Sequence, residues 1–373
     1  MLLSGSRTAP AASDESVSSK DLIPENLTLL PESLLWDKSV TLRGGLGYKD
    51  NVPLSPSPQG SGFFTIGLDV LMFRVPLNGL EVSFDVIGDD TRYWRNPDGI
   101  YREDLFLASG RVSKTLGDGW QIGLELRGTY ADQVVEELTQ TNGVEAVQAI
   151  GYTLGARPYL RRSLGTNWWA QLEAPISHEW WQAPLDDYWK FGGQVLLGAN
   201  YGHRSQVSVG YGGCYLPHDE WLAADAQGVP NTNNTKLAIW RQTADIKWEH
   251  QWDARQRWRS ITRLGFQYDQ DNGGGWYNYY RYLASEGLVF RTKSWEVRGS
   301  AGVSYYAFPV QTVSTPPANK LYVATIELTA RVEHRLYKEL RLFADYTHEQ
   351  LMSNDPTSAY KANTVTGGLS WEF

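Results

Sequence analysis

The sequence predicts an all-β protein, namely a single transmembrane antiparallel up-and-down β-barrel of about sixteen strands, with fourteen or eighteen strands as the alternatives. Three observations predict this fold class. Apolar and polar residues alternate along many short segments, the connections between these segments are tight and long in turn, and the last segment ends in an aromatic residue. Short periplasmic turns and long extracellular loops are typical of outer-membrane barrels.

The composition agrees with such a barrel. The 373 residues include 16 Trp, 21 Tyr and 36 Gly, and Trp and Tyr favour the level where apolar and aqueous surroundings meet. The mean hydropathy is −0.41, and no apolar run approaches the roughly 18 residues of a membrane helix. A barrel exposes apolar residues only at alternate positions, so a hydrophilic average is compatible with a lipid-facing wall.

Charge and cysteine content argue against several function classes. The net charge is −8 and the Lys and Arg residues are scattered, so we expect no nucleic-acid partner. Cys214 is the only cysteine and cannot form an intrachain disulfide. The sequence has no phosphate-binding loop, dinucleotide fingerprint or zinc-ligand spacing, so we expect no cofactor and no metal site.

The first element is residues 1–37, which are rich in Ser, Ala, Pro and Glu and lack alternation. We expect a flexible periplasmic tail there and an outer-membrane β-barrel over residues 38–373. The opening Met1-Leu2-Leu3 is followed by polar residues, so no apolar core of a signal peptide is visible. Because a barrel must be exported, three explanations stay open: a missing leader, a longer natural chain, or a misassigned start.

The strands follow from the alternation, which is clearest in the fifth. One face of that strand is apolar and the other polar, with Trp120, Ile122, Leu124 and Leu126 opposed to Gln121, Glu125, Arg127 and Thr129. The predicted strands are 38–48, 62–76, 80–94, 102–115, 120–133, 145–163, 167–181, 189–201, 205–217, 236–252, 256–270, 277–291, 295–309, 321–336, 339–351 and 360–373. The even count leaves both ends of the barrel in the periplasm of a Gram-negative bacterium.

The last strand has apolar or small residues at its odd positions and ends with Leu369, Trp371 and Phe373. This pattern resembles the terminal assembly signal of outer-membrane proteins. The resemblance implies recognition of these residues by the barrel-assembly machinery, which would pair with the segment as an added strand.

The first hairpin carries a second resemblance. Its strand runs from Val40 to Tyr48 and continues through Lys49, Asp50 and Asn51 into a loop rich in Pro and Ser. This opening resembles β-barrel porin families associated with polysaccharide export, and it is similar to the barrel domain of surface-lipoprotein assembly modifiers. The resemblance implies a porin-like barrel and a role in export or in surface-protein assembly.

The predicted inward face is polar and carries both signs of charge. The candidate pore-lining residues are Arg127, Arg241, Asp245, Glu249, Arg257, Arg259, Arg263, Arg298, Arg331, Arg335 and Arg341. These charges either orient polar or anionic solutes or pair across neighbouring strands and hold the wall rigid. Arg257, Arg259 and Arg263 share one predicted strand face as an anion-attracting stripe, which Asp245 and Glu249 on the preceding strand could neutralise.

The sequence thus favours an outer-membrane channel that passes polar solutes or polysaccharide. The alternatives are the barrel domain of a surface-protein assembly or secretion factor and a plugged structural anchor. Catalysis is not expected, because the only histidine followed by two acids is His218 of His218-Asp219-Glu220, in a predicted long loop, and a full catalytic constellation is missing. The expected partners are outer-membrane lipid and lipopolysaccharide, the barrel-assembly machinery and a periplasmic export partner. Inward or loop aromatics are candidates for stacking on sugar rings, namely Trp169, Trp181, Trp276 and Tyr306.

Overall fold

The computed structural model of the chain describes residues 36–139, 143–202, 204–313 and 319–373. Its strands are β1 (Trp36–Lys49), β2 (Ser61–Leu77), β3 (Leu80–Tyr93), β4 (Arg102–Thr115), β5 (Trp120–Thr139), β6 (Gly143–Ser163), β7 (Trp168–Glu173), β8 (Ile176–Trp181), β9 (Tyr188–Tyr201), β10 (Ser205–Leu222), β11 (Lys236–Gln251), β12 (Trp258–Asp271), β13 (Tyr279–Arg291), β14 (Trp295–Thr312), β15 (Lys320–Arg335), β16 (Leu340–Ser353) and β17 (Tyr360–Glu372). Two 3-10 turns, Pro97–Gly99 and Gly117–Gly119, lie between strands. None of the helices in these ranges is long and apolar enough to span a membrane.

The strands form one closed antiparallel sheet. Apart from β7 and β8, which both pair with β6 and β9, each strand pairs with its neighbours in sequence. Strand β17 closes the barrel on β1 through pairs that run from Thr41 and Glu372 to Lys49 and Thr364. Closure leaves no free sheet edge, which is what a sheet surrounded by lipid requires because lipid offers no hydrogen-bond partners.

One predicted strand is interrupted. The prediction of a continuous strand over 167–181 is corrected by a break at Ala174 and Pro175 between β7 and β8. Both parts pair with β6 and with β9, so they form a single crossing and the barrel has sixteen crossings, which confirms the predicted fold and count. The break arises where Pro175 has no N–H to donate to the sheet, while its carbonyl accepts from Gly192 N at 2.8 Å.

The outward face is an apolar belt bounded by aromatic residues. Leucine, valine, isoleucine and phenylalanine side chains at alternate positions are exposed on it, as the alternation predicts. Exposed aromatics mark the two ends of the strands, with Trp168, Trp258, Trp295 and Trp371 at one end and Tyr48, Tyr152, Trp240 and Tyr282 toward the other. A closed barrel with this belt lies in the bacterial outer membrane.

The connections sort by length as predicted. Tight turns join the strands at the end that holds both termini of the barrel, which is therefore periplasmic, and the longer loops lie at the extracellular end. The turn between β2 and β3 uses Asn78 and Gly79, both with positive φ, which suits the twist of a two-residue hairpin.

Several strand boundaries differ from the prediction by a few residues, for example at β1 and β10. Trp36 and Asp37 belong to β1, and the rest of the predicted tail, residues 1–37, lies outside the described residues. Strand β10 continues to Leu222 rather than ending at Pro217, because His218 pairs with Tyr188 of β9 and extends the ladder. The extracellular ends of several strands therefore reach beyond the lengths that alternation indicates.

Candidate functional site

The inward faces of the strands enclose a lumen whose two halves differ in chemistry. We call the extracellular half the extracellular core, and its buried members include Val52, Leu216, Ile239, Tyr277, Tyr306, Phe308, Val323 and Leu351. We call the periplasmic half the charged lumen, and its members include Arg111, Glu125, Arg157, Glu173, Glu249, Arg259, Glu296, Arg298, Arg331, Glu333 and Arg341. Both sets lie on the inward face of the strands or in the loops above them.

The side chains of the extracellular core are almost completely buried. Tyr306 is 1% exposed, and the ring of Tyr279 lies 5.9 Å from it and 5.8 Å from Phe308. The cluster continues around the barrel from Phe63 of β2 to Tyr360 of β17. Burial of each such side chain contributes about 1.5–3 kcal/mol, so this region is a major source of stability.

Extracellular loops fold inward over this core. The Asp271 carboxylate accepts hydrogen bonds from the backbone N–H groups of Gly273 at 2.9 Å, Gly275 at 3.0 Å and Tyr277 at 2.7 Å. The same loop, 272–278, is joined to loop 223–235 by a bond from Gly274 N to the Ala224 carbonyl at 2.6 Å. Asp271 therefore fixes the loop that carries Tyr277 into the core.

A row of stacked rings connects these loops to the wall. Centroid separations are 5.1 Å between Tyr188 and His218, 5.4 Å between His218 and Trp221, and 6.1 Å between Trp221 and Tyr277. Burial raises the pKa of the Tyr277 phenol to about 12, so the group stays protonated and neutral at physiological pH. The row narrows the extracellular end of the lumen with neutral aromatic surface.

Asp186, in loop 182–187, anchors the row. Burial alone would raise its pKa, but the His218 ring and hydrogen bonds from the backbone N–H groups of Trp221 and Glu220 outweigh burial and hold the pKa of Asp186 below its ordinary value. The His218 Nδ1 atom lies 3.3 Å from Asp186 Oδ2. A charged carboxylate thus ties loop 182–187 to the end of β10.

The grouping His218-Asp219-Glu220 does not form one site. Since β10 extends through these residues, neighbouring side chains point to opposite faces of the sheet. His218 faces inward to Asp186, whereas Asp219 faces outward and lies 3.2 Å from Nε2 of His178. Sequence adjacency therefore did not identify the partner of either residue.

The charged lumen contains a cluster on β4 to β7. The buried Glu125 carboxylate accepts from Arg157 at 2.6 Å and from Arg111 at 3.1 Å. Arg157 also reaches Glu173 at 3.5 Å, and Glu173 accepts from Gln171 at 2.6 Å. Carboxylate and guanidinium groups alternate across four strands, which satisfies their hydrogen bonds and holds the wall rigid.

A second cluster lies on β13 to β17, on the opposite wall. Glu296 pairs with Arg291 at 2.9 Å and also with Arg298. The remaining contacts of the cluster are Arg331 to Glu333 at 2.6 Å and to Asp345 at 2.9 Å, and Arg341 to Glu333 at 3.4 Å and to Glu372 at 2.6 Å. Arg298, Arg331 and Arg341 of the predicted set thus face inward and are neutralised by neighbours.

The predicted arginine stripe is mostly neutralised. Arg257 lies outside the strand, contrary to prediction, because β12 begins at Trp258 and the Asp253 carboxylate holds Arg257 in the periplasmic turn at 3.1 Å. Arg259 pairs with Glu249. Arg263 faces inward and has no carboxylate within 4 Å among the described residues.

The other predicted pore-lining residues have mixed surroundings. Arg241 is buried at the border of the two halves and binds Asp269 through two bonds of 2.9 and 2.7 Å. Asp245 accepts from Gln194 at 3.2 Å. The Arg127 side chain is 62% exposed and lies 3.9 Å from the Glu125 carboxylate. Arg335 is exposed with no carboxylate within 4 Å in the described ranges. Arg127, Arg263 and Arg335 are therefore the cations most available to a solute.

The aromatic residues singled out for sugar stacking are covered. Trp169 is buried beneath the guanidinium of Arg161, which lies 4.1 Å from the ring centroid. Trp181 and Tyr306 are buried in the extracellular core, and Trp276 packs against the same core. Trp169, Trp181 and Tyr306 therefore present almost no surface to a saccharide, and Trp276 is partly buried.

The terminal residues lie at the seam of the barrel. Leu369 and Trp371 face outward on β17, which pairs with both β1 and β16. Phe373 continues the pairing, since its N–H donates to the Val40 carbonyl at 2.8 Å. The segment thus contributes the strand that closes the barrel.

Comparison with known proteins gives likeness of fold alone. No protein-family model matches the sequence, and no curated protein matches it. Among solved structures, the chain is similar to OccK9 (OpdG) of Pseudomonas aeruginosa, with 10% identity, 91% of this chain and 98% of that chain covered and a TM-score of 0.47. It is also similar to an anion-selective porin from Comamonas acidovorans, with 11% identity, 91% of this chain and 99% of that chain covered, and a TM-score of 0.46. A bacterial polysaccharide outer membrane secretin matches with 10% identity, 90% of this chain and 97% of that chain covered, and a TM-score of 0.41. With such low identities and TM-scores, these likenesses carry no argument about function.

Proposed function

We propose that this chain is a porin-like outer-membrane channel for polar solutes whose extracellular core restricts passage. The observation that carries the proposal is the charged lumen, in which guanidinium and carboxylate groups line the periplasmic half of a closed barrel. A barrel of sixteen strands is wide enough for an aqueous channel unless loops fill it. Packing alone would favour apolar residues at these inward positions.

Within this proposal, polysaccharide is the finer substrate assignment. The resemblance of the first hairpin to polysaccharide-export porins supports it, and so do the many hydrogen-bonding groups of the charged lumen. Such a channel would require a periplasmic export partner, contact with lipopolysaccharide, and insertion by the barrel-assembly machinery. We propose a transport role without a covalent step, and not an enzymatic role.

A plugged anchor is the second candidate, and one observation favours it. The extracellular core is continuous around the barrel, and loops 223–235 and 272–278 are hydrogen-bonded over it. A barrel closed permanently in this way would hold surface loops or an assembling surface protein instead of conducting. The two candidates differ in whether the core opens.

Single-channel conductance in planar bilayers tests the proposal. Asp271→Ala removes the three backbone hydrogen bonds that hold loop 272–278, so we expect larger or more frequent openings than in the unmodified chain. The matched control is Asp355→Ala, which removes the carboxylate that caps Thr357 in another extracellular loop. A folded barrel that stays silent with and without Asp271→Ala would overturn the channel and leave the anchor.

A further inference from the structure

One carboxylate lies near mid-height on the lipid-facing side of the barrel, away from the strand ends. Glu286 of β13 is paired in register with Thr262 of β12 and Ala301 of β14, in the outward row of residues. The exposed Tyr282 and the aromatic Phe290 lie four residues away on either side in the same row, about 13 Å along the strand. Glu286 therefore lies midway between the two aromatic ends of the apolar belt.

The hydrogen bonds of Glu286 are incomplete within one barrel. The Thr262 hydroxyl donates to Oε2 at 2.5 Å, and no cation lies within 4 Å of the carboxylate in the described part of the chain. Outward carboxylates near the extracellular strand ends have cationic partners, since Asp90 pairs with Arg92 at 2.7 Å and Asp132 with Arg102 at 2.8 Å. Glu286 thus differs from them in depth and in partners.

Lipid cannot supply the hydrogen-bond partners that Glu286 lacks. Acyl chains offer no hydrogen bonds, so a polar group in the apolar belt is destabilising unless protein surrounds it. The residues next to it are small, with Ala284 on its own strand and Ala301 and Gly299 on β14, while exposed Leu264 and Leu288 flank them. The small residues on one side of the carboxylate allow a neighbouring surface to approach it.

We propose that this face of β12 to β14 is a contact surface between two copies of the barrel, with Glu286 and Thr262 of each copy bonded to those of the other. A two-fold axis brings identical groups together. Carboxyl groups that share a proton, and hydroxyl groups, both donate and accept, so the pair of sites is self-complementary. A second copy inserted in the same membrane also presents its polar groups at the same depth.

Cross-linking in membranes tests the location of the contact. In a full-length Cys214→Ser background, Ala301→Cys is treated with a membrane-permeant oxidant and compared with Leu126→Cys, an outward residue of β5 on the opposite wall. We expect a disulfide-linked dimer from Ala301→Cys and monomer from Leu126→Cys. Equal cross-linking of both, none with Ala301→Cys, or a product with a different protein would overturn the proposal.

Substitution of Glu286 tests the chemistry. In detergent and nanodiscs, light scattering should show that Glu286→Gln, which keeps donor and acceptor groups, remains dimeric. Glu286→Leu places an apolar side chain against lipid, so this variant should fold, which heat-modifiable migration in electrophoresis would verify. The dissociation constant of its dimer should be at least 10-fold higher than that of the unmodified chain. A monomeric unmodified chain, or a Glu286→Leu variant that dimerises as tightly as the unmodified chain, would contradict the contact.

Discussion

Strand β14 passes through both halves of the lumen, and its inward face changes character on the way. Toward the periplasm it presents Glu296 and Arg298, which pair with each other, and Glu296 also pairs with Arg291 of β13. Toward the outside it presents Tyr306 and Phe308, which are each 1% exposed and packed beneath loops. One alternating strand thus contributes to a polar wall and to an apolar core.

The difference shows that the two halves stabilise the barrel by different means. The extracellular core gains free energy from burial, and its loops satisfy their backbone groups through side chains such as Asp271. The charged lumen gains little from burial, and its charges are offset by one another and by water. Damage to the core should therefore affect stability most, and changes in the charged lumen should affect selectivity.

The largest expected effect comes from truncation of the core. Tyr306→Ala should lower the free energy of unfolding by about 3–5 kcal/mol, because it leaves a cavity among buried rings. Tyr305→Ala is the matched control, since Tyr305 is adjacent but faces outward and is 41% exposed. Guanidinium titration in lipid vesicles measures both, and equal losses would show that the core is no more tightly packed than the lipid-facing surface.

A smaller loss should follow in the charged lumen. Glu125→Leu removes the carboxylate between Arg111 and Arg157, although Arg157 keeps its contact with Glu173. The loss should cost about 2 kcal/mol, because water can partly solvate the two guanidinium groups. The same guanidinium titration measures this loss of unfolding free energy, and Asp118→Asn in a periplasmic turn is the control. An effect as large as that of Tyr306→Ala would contradict the division between the two halves.

The loops above the core should respond to acid. Because the pKa of Asp186 is lowered in the folded chain, its stabilisation is fully present above the ordinary carboxyl range and is lost as pH falls through the lowered pKa. Hydrogen exchange at the Trp221 amide should accelerate as the pH falls through the lowered pKa of Asp186. Asp186→Asn should remove this pH-dependent acceleration. An acceleration that persists in Asp186→Asn would be assigned to another group.

The smallest effect concerns selectivity. If the lumen conducts, Arg263→Gln should shift the reversal potential toward cation preference, because Arg263 has no carboxylate within 4 Å in the described ranges. Arg257→Gln should shift it less, since Asp253 already neutralises that residue in the turn. Equal shifts would mean that ion pairing does not decide which lumen charges a solute meets.

The sequence predicted the architecture well but the lumen only in part. Alternation with a period of two is local, so strands, faces and the two classes of connection could be read directly. The inward face of the second half of β14 also held a readable signal, because Ser304 is followed at inward positions by Tyr306 and Phe308. That change from small and polar to aromatic indicates a core at the extracellular end, in contrast to the polar lumen that the charged residues predict.

The sequence by itself determined the closed all-β fold, the lipid-facing wall and the terminal strand, because each follows from alternation and chain order. Only the tertiary structure decided which charges are neutralised, since pairs such as Arg157 with Glu125 join strands whose register is set by the whole sheet. It alone showed loops folded into the extracellular end and Glu286 facing lipid. These depend on contacts between distant segments, which a local pattern does not contain.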